Sequence, residues 1–293
     1  MKKLVIFGVG LIGGSLALAL RRKLPGLHIV GIGRNGENLQ TAIDLGVIDE
    51  MNPSPEAAMQ DADIVIIAAP VAQTPHILKA IAPHIGTDTV ITDVGSTKSD
   101  VVDYAAAILG EQFGQFVPGH PIAGAEKSGV SAARADLFDG KNVVLTPTDQ
   151  TDSIACDKIR QMWVEAGAKV CEMSADHHDR IFAAVSHLPH LLAFALVDDL
   201  ASRANAEELF SFAAGGFRDF SRIAGSSPEM WRDISLANRD ALLDEIDAYQ
   251  ASLQKLRGLL EKRDVDGLCE MFENASQKRN AWGAIPSNKP RQP

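Results

Sequence analysis

The chain has 293 residues, of which 46% are hydrophobic, so it is long enough for one large domain or two of ordinary size with a substantial core. Its formal net charge of −10 argues against nucleic acid or an anionic membrane surface as a partner, although a small anionic substrate needs only a local group of basic side chains. The three scattered cysteines and the lack of an unbroken apolar run of about 20 residues indicate neither a disulfide framework nor a membrane span, and they fit a cytoplasmic protein.

The N-terminal residues predict a strand, a glycine turn and a helix. The motif Gly8-x-Gly10-x-x-Gly13 lies between the apolar run from Leu4 to Phe7 and an amphipathic run that continues to Lys23. In a dinucleotide-binding unit the first glycine permits the turn, the second admits a pyrophosphate and the third lets the helix pack on the strand. A secretory signal peptide is the alternative interpretation, but four glycines interrupt the apolar run.

The first half of the chain alternates short runs rich in Val and Ile with helical stretches. The predicted strands are Lys3–Phe7, His28–Ile32, Ile64–Ala68, Thr89–Asp93, Gln115–Pro118 and Asn142–Thr146, with Val170–Glu172 as a further one. The predicted helices lie near Leu11–Arg22, Glu37–Leu45, Thr74–Ala82, Lys98–Leu109 and Asp152–Ala166. This alternation predicts an α/β domain over residues 1–173, with a Rossmann-type, doubly wound and mostly parallel sheet that binds ligands at the carboxyl ends of its strands.

From about Ser174 onward the strand-like runs disappear. Apolar residues then recur at helical spacing, and the segment from Leu236 to Tyr249 reads as part of one long amphipathic helix. We therefore expect an all-α domain over residues 174–286. Because such a domain often cannot bury its apolar face alone, we expect it to form a homodimer. The remaining residues, 287–293, are rich in proline and polar side chains and are predicted to be disordered.

The residue that follows the second predicted strand bears on the choice of dinucleotide. A site that prefers NAD carries an acidic residue about 20 residues after the glycines, where it holds the ribose 2′-hydroxyl. This chain has Arg34 in that region, and a guanidinium attracts a 2′-phosphate. NADP is therefore favoured, with NAD as the alternative if Arg34 stacks on the adenine or is solvated. The expected cofactor contacts are Gly8, Gly10, Leu11, Ile12, Gly13, Arg34, Ala69, Pro70 and Ser96.

Several histidines are candidates for chemistry. His120 lies between a glycine and a proline in a predicted loop, and Ser96 follows a predicted strand on the same rim of the sheet. The pair His187 and His190 and the run from Asp176 to Asp179 resemble metal ligands, but no third ligand has a useful spacing. The run is predicted instead to be the acidic start of a helix capped by Ser174. No metal is expected.

The blocks GVGLIGGSLALAL, DVGSTK, GHPIAGAEKSG, SHLPH and FRDFSRIA occur in this order and are followed by Pro228-Glu229-Met230-Trp231. Together they resemble the prephenate/arogenate (cyclohexadienyl) dehydrogenases of tyrosine biosynthesis, and the likeness runs from residue 3 to about 280. The resemblance implies oxidative decarboxylation of prephenate or arogenate, with hydride transfer to NADP or NAD, to give 4-hydroxyphenylpyruvate or tyrosine.

The resemblance also implies roles for single residues. His120 matches the histidine that takes the proton of the ring hydroxyl, and Ser96 matches the serine that orients it. Arg222 matches the arginine that grips a substrate carboxylate, and His190 matches a second substrate contact. The remaining expected substrate contacts are His187, Glu126, Lys127 and Trp231, with Asp219 supporting Arg222. For His187, Asp219 and Trp231 a packing role stays an alternative.

Two other functions stay open at this point. One is a different two-domain dehydrogenase, for hydroxyacids or imines, although those enzymes usually place a lysine where this chain has the His-Pro pair. The other is a binding protein that senses a dinucleotide without turnover, which has no need of Ser96, His120 and Arg222 together.

Overall fold

The structure is a computed structural model that describes residues 1–125 and 127–283, so Glu126 and the predicted tail 287–293 lie outside the described residues. The strands are β1 Lys3–Phe7, β2 His28–Ile32, β3 Glu50–Met51, β4 Ile64–Ile67, β5 Val90–Asp93, β6 Phe116–Val117, β7 Gly119–Pro121, β8 Asn142–Leu145 and β9 Lys169–Glu172. The helices are α1 Leu11–Lys23, α2 Gly36–Asp44, α3 Pro55–Met59, α4 Thr74–Ile81, α5 Ser99–Leu109, α6 Ser153–Glu165, α7 Ala175–Phe182, α8 Leu188–Ala201, α9 Ala206–Ser211, α10 Gly215–Ser221, α11 Pro228–Ala237, α12 Arg239–Lys262 and α13 Val265–Gly283.

Strands β1 to β6 form one sheet in the order β3-β2-β1-β4-β5-β6, and all neighbouring strands are parallel. Successive side chains of β1 enter two different cores, with Leu4 and Ile6 in one and Val5 and Phe7 in the other. Both faces are covered because the connecting helices pack on both sides, which explains the unbroken Val and Ile runs. The predicted Rossmann-type α/β domain followed by a helical domain is confirmed.

Three short elements depart from the predictions. The two-residue strand β3 and the five-residue helix α3 were not predicted, because neither is long enough to show a period. Strands β7, β8 and β9 form a second, separate sheet, in which β7 pairs with β8 in antiparallel orientation. The predicted loop at His120 is therefore wrong. The extended backbone that Pro121 imposes is completed into a strand by pairing His120 with Val144.

The first long helical segment of the second half runs without interruption from Ala175 to Ala201. Helices α7 and α8 are joined in it by a π-helical turn, Ala183–His187. By length and composition alone this segment is apolar enough to cross a membrane, with a mean hydropathy of 1.6, and 22% of its most apolar window is buried within the chain. Its buried positions include His178, Asp179 and His187, so the segment places polar side chains inside the fold.

The long helix predicted across Leu236 to Tyr249 is interrupted at Asn238. Helix α11 ends one residue before it and α12 begins one residue after it. The buried side-chain amide of Asn238 donates to the carbonyl oxygen of Asp179 at 2.8 Å and to Nδ1 of His187 at 3.1 Å. Because a buried amide must be satisfied, these bonds stabilise the break, and no local apolar pattern reveals them.

Candidate active site

The glycine turn closes the carboxyl end of β1. Gly8 has a φ of +96°, and a Cβ there would lie 2.5 Å from the carbonyl oxygen of Ala68. A Cβ on Gly13 would lie 2.5 Å from the carbonyl oxygen of Gly8, so α1 can approach β1 only through a glycine. A Cβ on Gly10 would meet no atom within 4 Å, which leaves the space above this residue open.

The start of α1 is suited to an anion. No side chain of residues 1–125 or 127–283 caps Gly10, and the first helical bond is donated by Gly14 to the carbonyl oxygen of Gly10 at 2.9 Å. The N–H groups of Leu11 and Ile12 therefore lack helical acceptors, while their side chains pack against the core. Backbone donors at the positive end of a helix dipole fit a dinucleotide pyrophosphate.

A cleft of about 660 Å³ extends from this turn along the ends of β1, β2 and β4. Arg34, Ala69 and Pro70 line it, and no acidic side chain does so in the part of the chain that the structure describes. Asn38 donates its side-chain amide to the carbonyl oxygen of Val9 at 2.8 Å and thereby ties α2 to the glycine turn. The exposed guanidinium of Arg34 thus lies at a fixed wall of the cleft.

A buried ion pair holds the strand that carries His120. Lys98 and Asp93 are 0% and 1% exposed, and the Lys98 ammonium donates both to the Asp93 carboxylate and to the carbonyl oxygen of Gly119. The N–H of Gly119 donates to Oδ1 of Asp93 at 3.1 Å. These bonds fix β7 at the carboxyl end of β5 and keep the Lys98 ammonium in the interior, where it serves as a structural cation.

His120 is in direct contact with the helical half of the chain. Its Nδ1 lies 2.8 Å from Nε2 of His178, and Nδ1 of His178 lies 2.8 Å from Oδ1 of Asp179. Burial, and then the proximity of the His178 ring and of the Lys98 ammonium, hold the pKa of His120 well below its ordinary value, so the imidazole is neutral at neutral pH. Its Nε2 has no hydrogen-bond partner among residues 1–125 and 127–283.

The π-helical turn places a second group of rings beside this one. His187, at its end, is 1% exposed, and burial lowers its pKa to about 4. His190 stacks on the Trp231 ring with the two centroids 3.7 Å apart, and its Nδ1 donates to the carbonyl oxygen of Ser186 at 2.8 Å. His187 meets the same Trp231 ring edge-on at 6.0 Å. A π turn adds one residue to a helix and is frequent at functional sites, as here.

Arg222 begins a 3₁₀ turn, Arg222–Gly225, that packs against α8. Burial, followed by the charge of Arg222, lowers the pKa of His190, so these two side chains belong to the same neighbourhood. Asp219 lies exposed on α10, and Lys127 lies exposed beside the undescribed Glu126. The support of Arg222 by Asp219 and the contacts of Lys127 and Glu126 stay predictions.

Ser96 is half-buried between β5 and α5. The hydrogen bond that orients His120 through Nδ1 is made with Nε2 of His178, and Ser96 has no hydrogen bond to His120 within the described ranges. The predicted pairing of Ser96 with His120 therefore stays a prediction.

His178 and Asp179 were not predicted as site residues, because their run was assigned to the acidic start of a helix. Ser174 does cap that helix, accepting from the N–H of His177 at 3.3 Å. The available signal was spacing, since His178 is four residues before Phe182 and so shares its apolar face. No group of three metal-ligating side chains is found in the described part of the chain.

A parallel six-stranded sheet with an open glycine turn, and an imidazole at its carboxyl edge bonded to a helical domain, define a two-domain dinucleotide-dependent dehydrogenase. The chain belongs to the prephenate dehydrogenase family. Residues 16–172 match the family model for the nucleotide-binding domain of prephenate dehydrogenase, and residues 174–274 match the model for its dimerization domain.

Individual relatives agree with this assignment. The chain is 42% identical to prephenate dehydrogenase from Bacillus subtilis, over 97% of this chain and 78% of that protein. It is 34% identical to cyclohexadienyl dehydrogenase from Zymomonas mobilis, over 96% of both chains. Its fold matches the crystal structure of Aquifex aeolicus prephenate dehydrogenase in complex with hydroxyphenyl propionate and NAD+, with a TM-score of 0.91, 40% identity and coverage of 96% and 98% of the two chains.

The two glycines of the turn are expected to respond differently to alanine. Gly13→Ala forces a Cβ against the backbone at Gly8 and should lower the free energy of unfolding by about 1–3 kcal/mol. Gly10→Ala meets no protein atom, so it should leave unfolding unchanged and raise the dissociation constant of the dinucleotide about tenfold or more. Urea unfolding and calorimetric titration measure the two effects. Tight dinucleotide binding by Gly10→Ala would exclude a pyrophosphate at this turn.

Proposed function

We propose that the chain oxidises prephenate, arogenate or both with loss of carbon dioxide, using NADP or NAD as hydride acceptor, and yields 4-hydroxyphenylpyruvate or tyrosine. The observation that carries this proposal is the neutral His120 imidazole, which is held at the carboxyl edge of the sheet with Nε2 unused. The relatives named prephenate and cyclohexadienyl dehydrogenase support the substrate class. In this proposal residues 1–173 hold the dinucleotide, and residues 174–286 hold the substrate and form the dimer.

His120 acts as the base. A nicotinamide held in the cleft would supply the hydride acceptor for the carbon that carries the ring hydroxyl, and Nε2 of His120 takes the hydroxyl proton as the C=O bond forms. The ring carboxylate then leaves as carbon dioxide, and the electron pair of the broken C–C bond completes the aromatic ring. The phenolic oxygen recovers its proton from the His120 imidazolium. Because aromatisation drives the second step, the protein mainly positions the reactants.

The helical half supplies the contacts for the rest of the substrate. The Arg222 guanidinium provides a bidentate, charged partner for the side-chain carboxylate, which prephenate and arogenate share. His190 lies beside it, with the orientation of its ring fixed by Ser186 and Trp231. His187 and Trp231 are buried, so we propose that they support His190 and the wall of the site.

The exposed apolar face of α12 supports a dimer, and the cysteines support a cellular location. Ile246, Leu253 and Leu260 are seven residues apart on one face of α12, where Leu253 and Leu260 are 46% and 58% exposed. We propose that this face is covered in a homodimer, which the match to a dimerization domain supports. A cytoplasmic location is also proposed, on the three free cysteines.

Replacement of His120 tests the enzyme itself. His120→Asn should lower kcat by about 10²- to 10⁴-fold while dinucleotide affinity is unchanged, since it removes the base and leaves the cleft intact. The assay follows the formation of reduced nicotinamide with prephenate and with arogenate, each in the presence of NADP+ or NAD+. The control is His177→Asn, because His177 is an exposed histidine. Undiminished turnover by His120→Asn would exclude His120 as the base, and no turnover by the unaltered chain in all four assays would favour a sensor.

Arg34 tests the choice of dinucleotide. We propose a preference for NADP, since Arg34 lines a cleft without acidic side chains in the described residues. Arg34→Gln should lower kcat/KM for NADP+ about 10- to 100-fold and change that for NAD+ little, because only the 2′-phosphate loses a charged partner. The control is Lys23→Gln, at the far end of α1. An unaltered chain that prefers NAD+ would contradict the proposal, and the A. aeolicus structure, which contains NAD+, makes this comparison necessary.

The oligomeric state tests the α12 face. Light scattering should give twice the mass of one chain for the unaltered protein, and Leu253→Lys with Leu260→Lys should shift it toward one chain, because two buried charges are costly. Ala251→Lys, on the opposite face of α12, should not change the mass. A dimer that persists in the double variant would exclude this face as the interface.

A further inference from the structure

We infer that His178 and Asp179 are positioning residues that select the tautomer of His120, so that its Nε2 presents a lone pair to the substrate. The inference rests on the proposed role of His120 as the base. It is carried by a continuous line of three side chains, Asp179, His178 and His120, which joins the helical half to the nucleotide-binding half through two contacts of 2.8 Å.

The line begins at an ionised carboxylate. Asp179 is 5% exposed, and its two oxygens accept from the backbone N–H of Lys98 at 2.9 Å and of Ser99 at 2.8 Å, in addition to the contact with His178. These donors lie at the start of α5, where the helix dipole also favours negative charge. Although burial acts against it, hydrogen bonds from His178 and Ser99 keep the pKa of Asp179 below its ordinary value.

The direction of each hydrogen bond then follows. An ionised carboxylate only accepts, so Nδ1 of His178 must carry the proton that it donates to Asp179. His178 is 0% exposed and burial lowers its pKa, so it is neutral and its Nε2 can only accept. Nδ1 of His120 must therefore be the donor of the second bond. A neutral His120 protonated at Nδ1 carries its lone pair at Nε2, which is the form a base requires.

The surroundings preserve this arrangement. The Phe182 ring lies 4.9 Å from the ring of His120 and 4.4 Å from that of His178, measured between centroids, and provides an apolar wall against the pair. The same line of bonds stabilises the product of proton transfer, because the His120 imidazolium remains a donor to His178. The proton itself stays on His120, and neither His178 nor Asp179 gains one.

Asp179→Asn supplies the first test. An amide whose oxygen accepts from the N–H of Ser99 turns its NH2 group toward Nδ1 of His178 and gives up the bond from Lys98, which would turn both histidine bonds around and place the His120 proton on Nε2. We expect kcat to fall about 100-fold or more, with KM and dinucleotide affinity nearly unchanged. Nitrogen-15 spectra of labelled histidine should show His120 protonated at Nδ1 in the unaltered chain and at Nε2 in the variant.

His178 supplies a matched pair of variants. The side-chain oxygen of His178→Gln can accept from Nδ1 of His120 whatever residue 179 is, so this variant should keep kcat within about tenfold. His178→Leu has no acceptor at this position, so its kcat should fall about 100-fold. In the His178→Gln background Asp179→Asn should have little further effect, whereas a purely structural role would give the same loss in both backgrounds. The neighbouring exposed pair Asp176→Asn and His177→Gln are the controls.

Two results would overturn the inference: a His120 imidazole protonated at Nε2 in the unaltered chain, or equal kcat values for His178→Gln and His178→Leu. If Asp179→Asn fails to fold, the comparison of kcat between His178→Gln and His178→Leu still tests the inference. The nitrogen-15 spectra need no substrate, so a chain that shows the expected tautomer but turns over neither prephenate nor arogenate would contradict the proposed function and leave this inference standing.

Discussion

The Asp179 carboxylate is the point at which the two halves of the chain are joined. Its oxygens accept from the first residues of α5, its imidazole neighbour reaches across to β7, and its backbone carbonyl accepts from the side chain of Asn238. Asp179 thus connects the first long helix to the sheet domain through its carboxylate, and to the α11–α12 junction through its backbone carbonyl. A charge buried to this extent is stable only when it is hydrogen-bonded, so the first long helix and α5 cannot move apart without exposing an unsatisfied carboxylate.

A buried ion pair beneath the site also holds neighbouring elements together. Lys98 and Asp93 take no part in the proposed chemistry, yet they fix the backbone on both sides of Gly119 and hence the position of His120. His120 is therefore supported from below by the nucleotide-binding half and from the side by the helical half. Such double support explains how three residues of strand, paired at the edge of a small sheet, can hold the proposed base in place.

The sequence predicted those features that depend on local pattern. Strands β1 and β2 were predicted at their observed bounds, because runs of Val and Ile bounded by turns are read within a few residues. The glycine turn was predicted from its motif, and His120 was singled out by its position between a glycine and a proline. The features that were missed depend on distant partners: β7 needs β8, the break at Asn238 needs Asp179, and the burial of His178 needs the strand that carries His120. No hydrophobic periodicity within a short stretch of sequence indicates such long-range contacts.

The π turn also constrains the length of the helix that contains it. Three of the four histidines in the segment Ala175–Ala201 belong to the candidate site, with His178 before the turn, His187 at its end and His190 after it. Each residue added to or removed from a helix rotates everything beyond it by about 100°. Deletion of one residue at the turn would restore a regular helix and swing His190 away from Trp231, while His178 stayed where it is. The rotation of His190 about the helix axis relative to His178 therefore depends on the number of residues between them. Homologous chains that have both histidines should also have the same number of residues from position 178 to position 190.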